Sequence, residues 1–422
     1  MDKISQRTPD TLEGWLRHLE TLHTTEIEMG LDRILQVYRR MKVNFHGAKI
    51  VTVGGTNGKG TTIATLQRLL LSQGKAVGAY TSPHIVRFNE RVSINGIDVD
   101  DQQLVTAFAA VEAVRRSTSL TYFEFGTLVA LQIFASMPLD YILLEVGLGG
   151  RLDAVNIVDP DVAIITCVDI DHVEWLGPDR ESIGYEKAGI LRAGGKAVYG
   201  EQQPPSSVVQ QVNAQKVDMR FFGKDFGYSH DDAVCYYTSA EGHQCHVDFV
   251  AGNIPISNQL CALQALQLLG ENFSPKEIQE VFAGVAVPGR METLSRDPVV
   301  LVDVAHNPHA AGYLASRLAQ IVPSRSKVVG VFSMLADKDI EGVIENMKSA
   351  VDHWVVFPLA VPRAALVENI VRDLQKKEQK LALAANADEA LAIARKNVQG
   401  DDLIVVFGSF YTVAAIKQSM GL

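Results

Sequence analysis

The chain has few cysteines, no cationic excess and no long apolar run, and each shortage excludes a class of protein. Its four cysteines form no C-x-x-C pair, which argues against a disulfide framework and favours reduced thiols in the cytosol. A net charge of −10 argues against a nucleic-acid partner, because a protein that binds nucleic acid needs a basic face. No apolar run reaches the roughly 18–20 residues of a membrane span, and residues 1–10 are too polar for a signal peptide. We therefore expect a soluble, cytoplasmic protein with neither nucleic-acid nor membrane partners.

A convincing zinc motif is lacking as well. His243, Cys245 and His246 form a local group of possible metal ligands. Because no second ligand pair lies near them in the sequence, we interpret them as neighbouring residues of a strand.

The sequence does contain an alternation of helices and strands. Its 422 residues indicate two domains. Residues 11–42 are predicted to be helical, and the apolar, β-branched runs beyond them alternate with helical stretches. This alternation predicts an α/β fold with a parallel sheet covered on both faces. The predicted strands are Ile50–Val53, Ala76–Tyr80, Tyr141–Val146, Val162–Val168 and Ala197–Tyr199, and the predicted helices are Thr61–Ser72, Asp101–Arg116 and Thr127–Ala135.

The second half of the chain begins with an interruption and then resumes the alternation. Residues 205–250, with short runs at Met219–Phe222 and Cys235–Thr238, predict an antiparallel appendage, and a helix is expected near Asn258–Leu269. Turn-forming residues between 287 and 298 predict a linker. We expect domains at residues 1–290 and 298–422, the second smaller and Rossmann-like. Its predicted strands are Val299–Val304, Lys327–Phe332, Trp354–Phe357 and Leu403–Phe407.

A glycine-rich loop, Gly54-Gly55-Thr56-Asn57-Gly58-Lys59-Gly60-Thr61-Thr62, follows the first predicted strand and opens a helix. In this context, backbone N–H groups and the helix N-terminus bind phosphate, and Lys59 reaches the terminal phosphates of ATP. The loop departs from the common P-loop pattern because Val53 replaces the first glycine and Gly60 separates Lys59 from Thr61. A glycine turn with an unrelated lysine is the alternative, but the strand–loop–helix context disfavours it.

Polar side chains follow three of the predicted parallel strands. Ser82 comes after one strand, Glu145 lies at the end of a second, and His172 follows a third. Because the carboxyl ends of parallel strands lie at one edge of a sheet, these residues are expected near Lys59. A hydroxyl and a carboxylate beside a triphosphate favour Mg²⁺, for which a histidine is an unusual ligand. Alternatively, Glu145 is a buried acid that caps a helix.

Several motifs together resemble those of the Mur ligase superfamily. Within it, they are similar to folylpolyglutamate synthases and to bifunctional dihydrofolate synthase/folylpolyglutamate synthases. They run from the first helix to the last strand. The motifs are the loop from Thr56 to Thr62, Ser82-Pro83-His84, Glu145 to Ala154, Glu186-Lys187-Ala188-Gly189-Ile190, Pro288-Gly289-Arg290 and Asp303 to His309.

The resemblance implies an ATP-dependent amide ligase. A pterin-linked carboxylate would attack the γ-phosphate, and the amine of L-glutamate would then displace phosphate from the acyl phosphate. The expected substrates are dihydropteroate, folates and L-glutamate, and a monomer is expected. The alternatives are a folylpolyglutamate synthase without the dihydropteroate activity, a P-loop kinase acting on a hydroxyl, and a non-catalytic nucleotide switch.

The resemblance also assigns roles around ATP. It places the phosphates on Thr56, Asn57, Gly58, Lys59, Gly60 and Thr61. Ser82 with Glu145 would hold one Mg²⁺, and His172 with Glu145 a second. Lys187 matches a lysine that is carbamylated, although unmodified Lys187 could be an ordinary phosphate ligand.

The remaining roles concern the nucleotide and the folate. Asn258, Arg290 and Asp303 match residues that contact the nucleotide. The contacts of Arg290 and Asp303 would be made across the domain seam. His306 would act on the glutamate and acyl-phosphate side, or else be a structural histidine. The pterin pocket would be formed by Ile27, Glu28, Met29, Thr121, Tyr122, Phe123, Glu124, Leu152, Asp153 and Ala154. A core strand is the alternative for the aromatic segment, residues 120–125.

Overall fold

The computed structural model describes residues 9–23, 25, 27–229, 233–248, 252–323 and 326–422, so most of the polar N-terminus lies outside the described residues. The chain divides into two compact units. One comprises Met1–His84 and Phe88–Val285, and the other comprises Ile85–Arg87 and Ala286–Leu422. In the described part of the chain, no helix has the length and apolar character needed to cross a membrane.

The first unit is built on an eight-stranded sheet with the order β4-β3-β2-β5-β1-β6-β7-β8. The strands from β2 to β8 in this order pair in parallel, and β3 and β4 add an antiparallel edge. This arrangement confirms the predicted parallel sheet. The strands are β1 (Lys49–Gly54), β2 (Val77–Tyr80), β3 (Val92–Ile94), β4 (Ile97–Asp98), β5 (Tyr141–Glu145), β6 (Val162–Ile165), β7 (Lys196–Tyr199) and β8 (Asp218–Phe221).

Helices surround this sheet. Residues 11–42, predicted as one helical stretch, form two helices, because the backbone is extended at His23 (φ −128°, ψ 150°) directly after the first helix, and Gly30 before the second has a φ of 147°. The helices are α1 (Leu12–Leu22), α2 (Asp32–Met41), α3 (Lys59–Ser72), α4 (Asp101–Arg115), α5 (Tyr122–Ala135), α6 (Val173–Leu176), α7 (Arg180–Ala188), α8 (Ser206–Gln215), α9 (Ile256–Leu268) and α10 (Pro275–Gly284), with 3₁₀ turns at Phe88–Arg91 and Ala154–Ile157.

The antiparallel appendage is smaller than predicted. Its sheet contains β9 (Gly227–Ser229), β10 (Val234–Thr238) and β11 (Gln244–Asp248). The run at Met219–Phe222 was wrongly assigned to it, since β8 pairs in parallel with β7 after the crossover helix α8. Cys245 and His246 lie on β11, as the strand interpretation predicts, whereas His243 precedes the first residue of that strand.

The second unit has a six-stranded sheet with the order β12-β13-β17-β14-β15-β16, and only β12 is antiparallel within it. The predicted linker is therefore wrong in part. The segment after Arg290 pairs with β13 and forms the edge strand of this sheet. The elements are β12 (Glu292–Arg296), β13 (Val299–Val302), α11 (Pro308–Ile321), β14 (Val328–Phe332), α12 (Ile340–Met347), β15 (His353–Val356), α13 (Val367–Lys376), β16 (Leu381–Leu383), α14 (Ala387–Lys396), β17 (Leu403–Phe407) and α15 (Phe410–Ser419).

Candidate active site

Two glycines allow the loop between β1 and α3 to turn tightly. Gly55 has a φ of 147° and Gly58 a φ of 89°, a region that residues with a Cβ rarely adopt. A Cβ on Gly55 would overlap the Thr166 hydroxyl, and one on Gly58 would lie 2.5 Å from Oδ1 of Asn258. Side chains at these two positions would therefore displace the loop from its neighbours.

The loop is anchored to the end of the adjacent strand β6. The backbone N–H of Thr56 donates to the carbonyl of Cys167 at 3.0 Å, and the Thr166 hydroxyl donates to the carbonyl of Asn57 at 2.6 Å. The Thr56 hydroxyl bonds to both the N–H and the carbonyl of Asp169. The Thr56 side chain is thus engaged in holding the loop.

Lys59 and Thr61 begin α3 beside the loop. The Lys59 ammonium donates to the carbonyls of Gly55 at 2.9 Å and Thr56 at 3.2 Å, so its charge lies over the loop. The Thr61 hydroxyl accepts from Nδ2 of Asn258 at 2.8 Å, and this contact brings a helix α9 residue to the same place. A loop with a lysine at its rim and a helix N-terminus behind it suits a polyphosphate.

Ser82 and Glu145 meet at the carboxyl edge of the sheet. Val53 of β1 lies opposite Glu145 in the register, and the backbone N–H of Ser82 donates to Oε2 of Glu145 at 3.1 Å. The Glu145 carboxylate is buried, and a Cβ at Gly60 would lie only 3.7 Å from Oε2. The extra glycine after Lys59 therefore leaves space directly beside this carboxylate.

The donor set fits Mg²⁺ only if further oxygens are supplied. Carboxylate and hydroxyl oxygens are hard ligands of the kind that Mg²⁺ prefers. Across the described residues, no group of three or more His, Cys, Asp or Glu could hold a metal ion. His172 begins α6 with a left-handed φ of 52°, and its Nε2 lies 3.9 Å from Oδ2 of Asp171. A metal ion bound by Ser82 and Glu145 would therefore need oxygen atoms of a bound phosphate to complete its coordination.

Lys187 is buried near Lys59 in the last turn of α7. Burial, and next the positive charge of Lys59, lower the pKa of Lys187 to about 7. Cys167, Asp171 and Asp153 act electrostatically on the same amine. The sequence analysis did not single out Asp171 as part of this group, because its position depends on how the loop after β6 folds.

The aromatic segment lies at the start of α5, not on a core strand. Thr121 caps the helix, and Oε2 of Glu124 accepts from the Thr121 N–H at 2.7 Å in a capping box. Oε1 of Glu124 accepts from Arg33 at 3.1 Å, so both carboxylate oxygens bind protein groups. Phe123 stacks with Tyr80 at a centroid distance of 6.0 Å.

The three segments predicted to form the pterin pocket do meet. Glu28 pairs with Arg33, which also binds Glu124, and this joins the first segment to the second. A Cβ on Gly147 would lie 2.5 Å from Cζ of Phe123, and one on Gly149 would lie 3.7 Å from Cε of Met29. The loop from Gly147 to Ala154 therefore packs against Phe123 and passes close to Met29.

The Asp153 carboxylate stabilises the loop from Gly147 to Ala154 through hydrogen bonds to its backbone. Its carboxylate accepts from the N–H groups of Leu148 at 2.7 Å and Val155 at 3.0 Å, and the 3₁₀ turn that starts at Ala154 begins behind it. Burial raises the pKa of Asp153 to about 6, against the opposing effect of these hydrogen bonds.

His84 and Arg91 lie beside this region, and sequence analysis gave neither a role. Arg91 is buried, and its Nε donates to Nδ1 of His84 at 2.8 Å. Burial, followed by the charge of Arg91, lowers the pKa of His84 to about 4. A single buried arginine leaves no periodic signal in a sequence, although the neighbouring Ser82-Pro83-His84 motif marks the place.

In the second unit, Arg290, Asp303 and His306 gather near Phe410. The Arg290 guanidinium lies 5.2 Å from the Phe410 ring centroid, and the His306 ring lies 6.2 Å from it. Asp303 accepts from the N–H groups of Met291 at 3.0 Å and Ala305 at 2.9 Å. Burial raises the pKa of Asp303, and Arg290 opposes this effect. Phe410 was not predicted, because it lies more than a hundred residues from the others.

Comparisons with known proteins agree with this arrangement. A model of the Mur ligase middle domain matches residues 53–266, and a model of the Mur ligase, glutamate ligase domain matches residues 289–410. The dihydrofolate synthase/folylpolyglutamate synthase of Escherichia coli (strain K12) is 41% identical over 418 residues, 98% of this chain and 97% of that protein. The chain belongs to the dihydrofolate synthase/folylpolyglutamate synthase family of Mur ligases.

Solved structures of dihydrofolate synthase/folylpolyglutamate synthases match over the whole chain. E. coli FolC in complex with DHPP and ADP has a TM-score of 0.92 and 40% identity, covering 98% of this chain and 99% of that one. A bifunctional folylpolyglutamate synthase/dihydrofolate synthase with Mn, AMPPNP and L-glutamate bound has a TM-score of 0.90 and 40% identity, covering 99% and 100%. These matches confirm the predicted resemblance and fold class, and they show that the chain is an ATP-dependent ligase.

Proposed function

We propose that the enzyme joins L-glutamate to dihydropteroate, which forms dihydrofolate, and adds further glutamates to tetrahydrofolate. Each addition consumes one ATP. The observation that carries the proposal is the contact of Phe123 with Gly147, two residues beyond Glu145. An aromatic ring suited to a flat heterocycle thus packs against the loop that directly follows the acid of the phosphate site. The full-length similarity to E. coli FolC in complex with DHPP and ADP, and to a bifunctional synthase with Mn, AMPPNP and L-glutamate bound, supports sites for a nucleotide and for L-glutamate.

The chemistry requires activation, because a carboxylate is a poor electrophile. A carboxylate oxygen of the folate attacks the γ-phosphorus of ATP, and ADP leaves. The amine nitrogen of glutamate then attacks the acyl carbon, loses a proton, and displaces inorganic phosphate to leave an amide. The protein contributes mainly by holding the reactants in line and by stabilising charge.

The phosphate loop supplies most of that stabilisation. The loop of residues 56–61 would bind the phosphates mainly through the N–H groups of residues 58–61, because the N–H groups of Thr56 and Asn57 already bond to Cys167. Lys59 would neutralise charge that develops on the γ-phosphoryl group. In the second unit, Arg290 and Asp303 would bind the nucleotide, and His306 would act on the side of glutamate and the acyl phosphate. Asn258, which already contacts Thr61, would bind the nucleotide from α9.

A divalent metal is the expected cofactor, in line with the Mn-bound relative. Bound Mg²⁺ would neutralise phosphate oxygens and lower the barrier to attack. Ser82 and Glu145 would hold one ion, and His172 with Glu145 a second. The contact between the Ser82 N–H and the Glu145 carboxylate supports the first assignment, because it orients that carboxylate at the strand edge.

Lys187 is proposed to carry a carbamate. An amine with a pKa near 7 is partly neutral at physiological pH, and neutral amines add carbon dioxide with release of one proton. The addition replaces a buried cation beside Lys59 with an anion, which removes a repulsion and creates an attraction. The carbamate oxygens could then orient the metal and its ligands.

Turnover assays with two acceptors test the proposed function. Purified enzyme with ATP, Mg²⁺ and L-glutamate should release ADP in the presence of either dihydropteroate or tetrahydrofolate, and each product should be one glutamate heavier by mass spectrometry. Turnover with tetrahydrofolate alone would reduce the function to a folylpolyglutamate synthase. ADP release without a glutamylated product would contradict the ligase assignment and favour a kinase.

A further inference from the structure

Arg91 is a buried cation surrounded mainly by aromatic rings and a histidine. Its side chain is only 9% exposed, at the end of the 3₁₀ turn Phe88–Arg91. The guanidinium lies 5.4 Å from the ring centroid of Phe88 and 5.6 Å from that of Tyr122. Nε donates to His84, and the Tyr80 hydroxyl lies close to the same guanidinium.

Among the residues that the structure describes, no carboxylate balances the charge of Arg91. None of the Asp and Glu side chains in the described ranges forms an ion pair with it, whereas Arg33 pairs with two such side chains and Arg151 and Arg192 with one each. Burying a guanidinium without a counter-ion is costly, and aromatic rings offset only part of that cost. The terminal nitrogens of Arg91 are therefore suited to an anion that the protein does not itself provide.

The position of Arg91 indicates which anion this is. Its carbonyl accepts from the N–H of Thr81 at 2.9 Å, directly before Ser82, so the residue adjoins the proposed metal site. Tyr122, whose ring centroid lies 5.6 Å from the guanidinium, belongs to the aromatic segment of the proposed pterin pocket. A pteroyl substrate whose ring occupies that pocket would direct its carboxylate toward Ser82 and past Arg91.

The hydrogen bond from Arg91 determines which nitrogen of the His84 ring carries the proton. An arginine Nε always carries a proton and can only donate, so Nδ1 of His84 accepts and the imidazole proton lies on Nε2. The Nε2–H of His84 then points away from Arg91 on the far side of the ring, whereas Arg91 keeps its terminal N–H groups for another partner. The planar cationic fork of Arg91 matches a carboxylate, and His84 fixes its orientation.

We propose that Arg91, oriented by its hydrogen bond to His84, is the subsite that binds the reacting carboxylate of the pteroyl substrate, an inference that rests on the proposed function. The guanidinium holds one carboxylate oxygen while the other attacks the γ-phosphorus. Dihydropteroate has only the reacting carboxylate, whereas tetrahydrofolate also has an α-carboxylate. The reacting carboxylate of tetrahydrofolate lies on its glutamate, farther from the pterin ring, so the two acceptors share this subsite only with their rings at different depths in the pocket.

Binding measurements with a matched pair of ligands test this assignment. The dissociation constants of dihydropteroate and of its carboxamide are measured with wild-type enzyme and Arg91→Gln, with a non-hydrolysable ATP analogue and Mg²⁺ present. We expect Arg91→Gln to weaken dihydropteroate binding at least about tenfold, as for loss of a charge-assisted hydrogen bond, and to leave carboxamide binding unchanged. Arg91→Lys, which keeps the charge but not the fork, should give a smaller loss for the acid only.

Two further variants separate the orienting role of His84 from the general effect of removing a charged side chain. His84→Gln retains an acceptor for Arg91 and an N–H donor, so it should bind dihydropteroate more tightly than His84→Ala. Arg116→Gln changes an exposed arginine and should alter neither ligand's affinity. Circular dichroism and thermal melts establish that each variant is folded, and Arg91→Lys provides the test if Arg91→Gln is not.

The outcomes distinguish this subsite from the function on which it rests. Equal weakening of the acid and the carboxamide would show a structural role and overturn the subsite. A loss confined to tetrahydrofolate would assign Arg91 to the α-carboxylate and overturn it too. Failure of the wild-type enzyme to glutamylate dihydropteroate would instead refute the proposed function, whatever the variants bind.

Discussion

Replacing Lys59 by alanine should lower kcat about 100- to 1,000-fold with both acceptors, because the variant lacks the cation that stabilises charge on the transferred phosphoryl group. The Lys59 ammonium contacts only the carbonyls of Gly55 and Thr56 among the hydrogen-bond partners that the structure describes. Its loss should therefore change the melting temperature little. Steady-state assays of ADP release, with ATP and glutamate saturating, measure the effect.

A second lysine provides the control for this prediction. Lys224 is exposed in the turn between β8 and β9, so Lys224→Ala should retain wild-type kcat. Lys59→Arg keeps a positive charge and should lose less activity than the alanine variant. An unchanged kcat in Lys59→Ala would contradict the phosphate-loop assignment.

Replacing Lys187 by alanine should lower kcat about 100-fold, because the variant loses the proposed carbamate that orients the metal ligands. Formate or acetate at millimolar concentrations should restore part of this activity, since a small carboxylate can occupy the vacated space and supply the missing oxygens. Turnover measured as a function of added carboxylate gives the degree of rescue.

The same carboxylates serve as an internal control. Lys59→Ala lacks a cation, so acetate should not restore it, and Lys187→Arg cannot form a carbamate and should stay inactive with or without acetate. Full activity in Lys187→Ala would refute the carbamate. Loss of activity without any rescue would favour Lys187 as a direct phosphate ligand.

The parts of the site that follow from local sequence and sheet topology were predictable. A strand that enters a glycine-rich turn and then a helix places Lys59 at a helix N-terminus, and parallel pairing brings the end of each strand to one edge. Ser82 and Glu145 come from strands β2 and β5, which are neighbours in the sheet, and they are in contact as this argument predicts.

The parts that depend on long-range packing were not predictable from one sequence. Short polar runs such as β8 and β12 resemble loop or linker segments, and only the neighbouring strand makes each of them part of a sheet. The start of α5 has the composition of a strand, but the capping box of Thr121 and Glu124 makes it helical. Phe410 and Arg91 acquire importance only from neighbours that the fold brings to them.

Transfer of oxygen from the substrate to phosphate tests the acyl-phosphate mechanism most directly. Dihydropteroate labelled with oxygen-18 in its carboxylate is converted with ATP, Mg²⁺ and L-glutamate, and the released phosphate is analysed by mass spectrometry. Attack of the carboxylate on the γ-phosphorus predicts one labelled oxygen in each phosphate, because that oxygen leaves with phosphorus when the amide forms. Unlabelled phosphate released in step with dihydrofolate formation would contradict this mechanism.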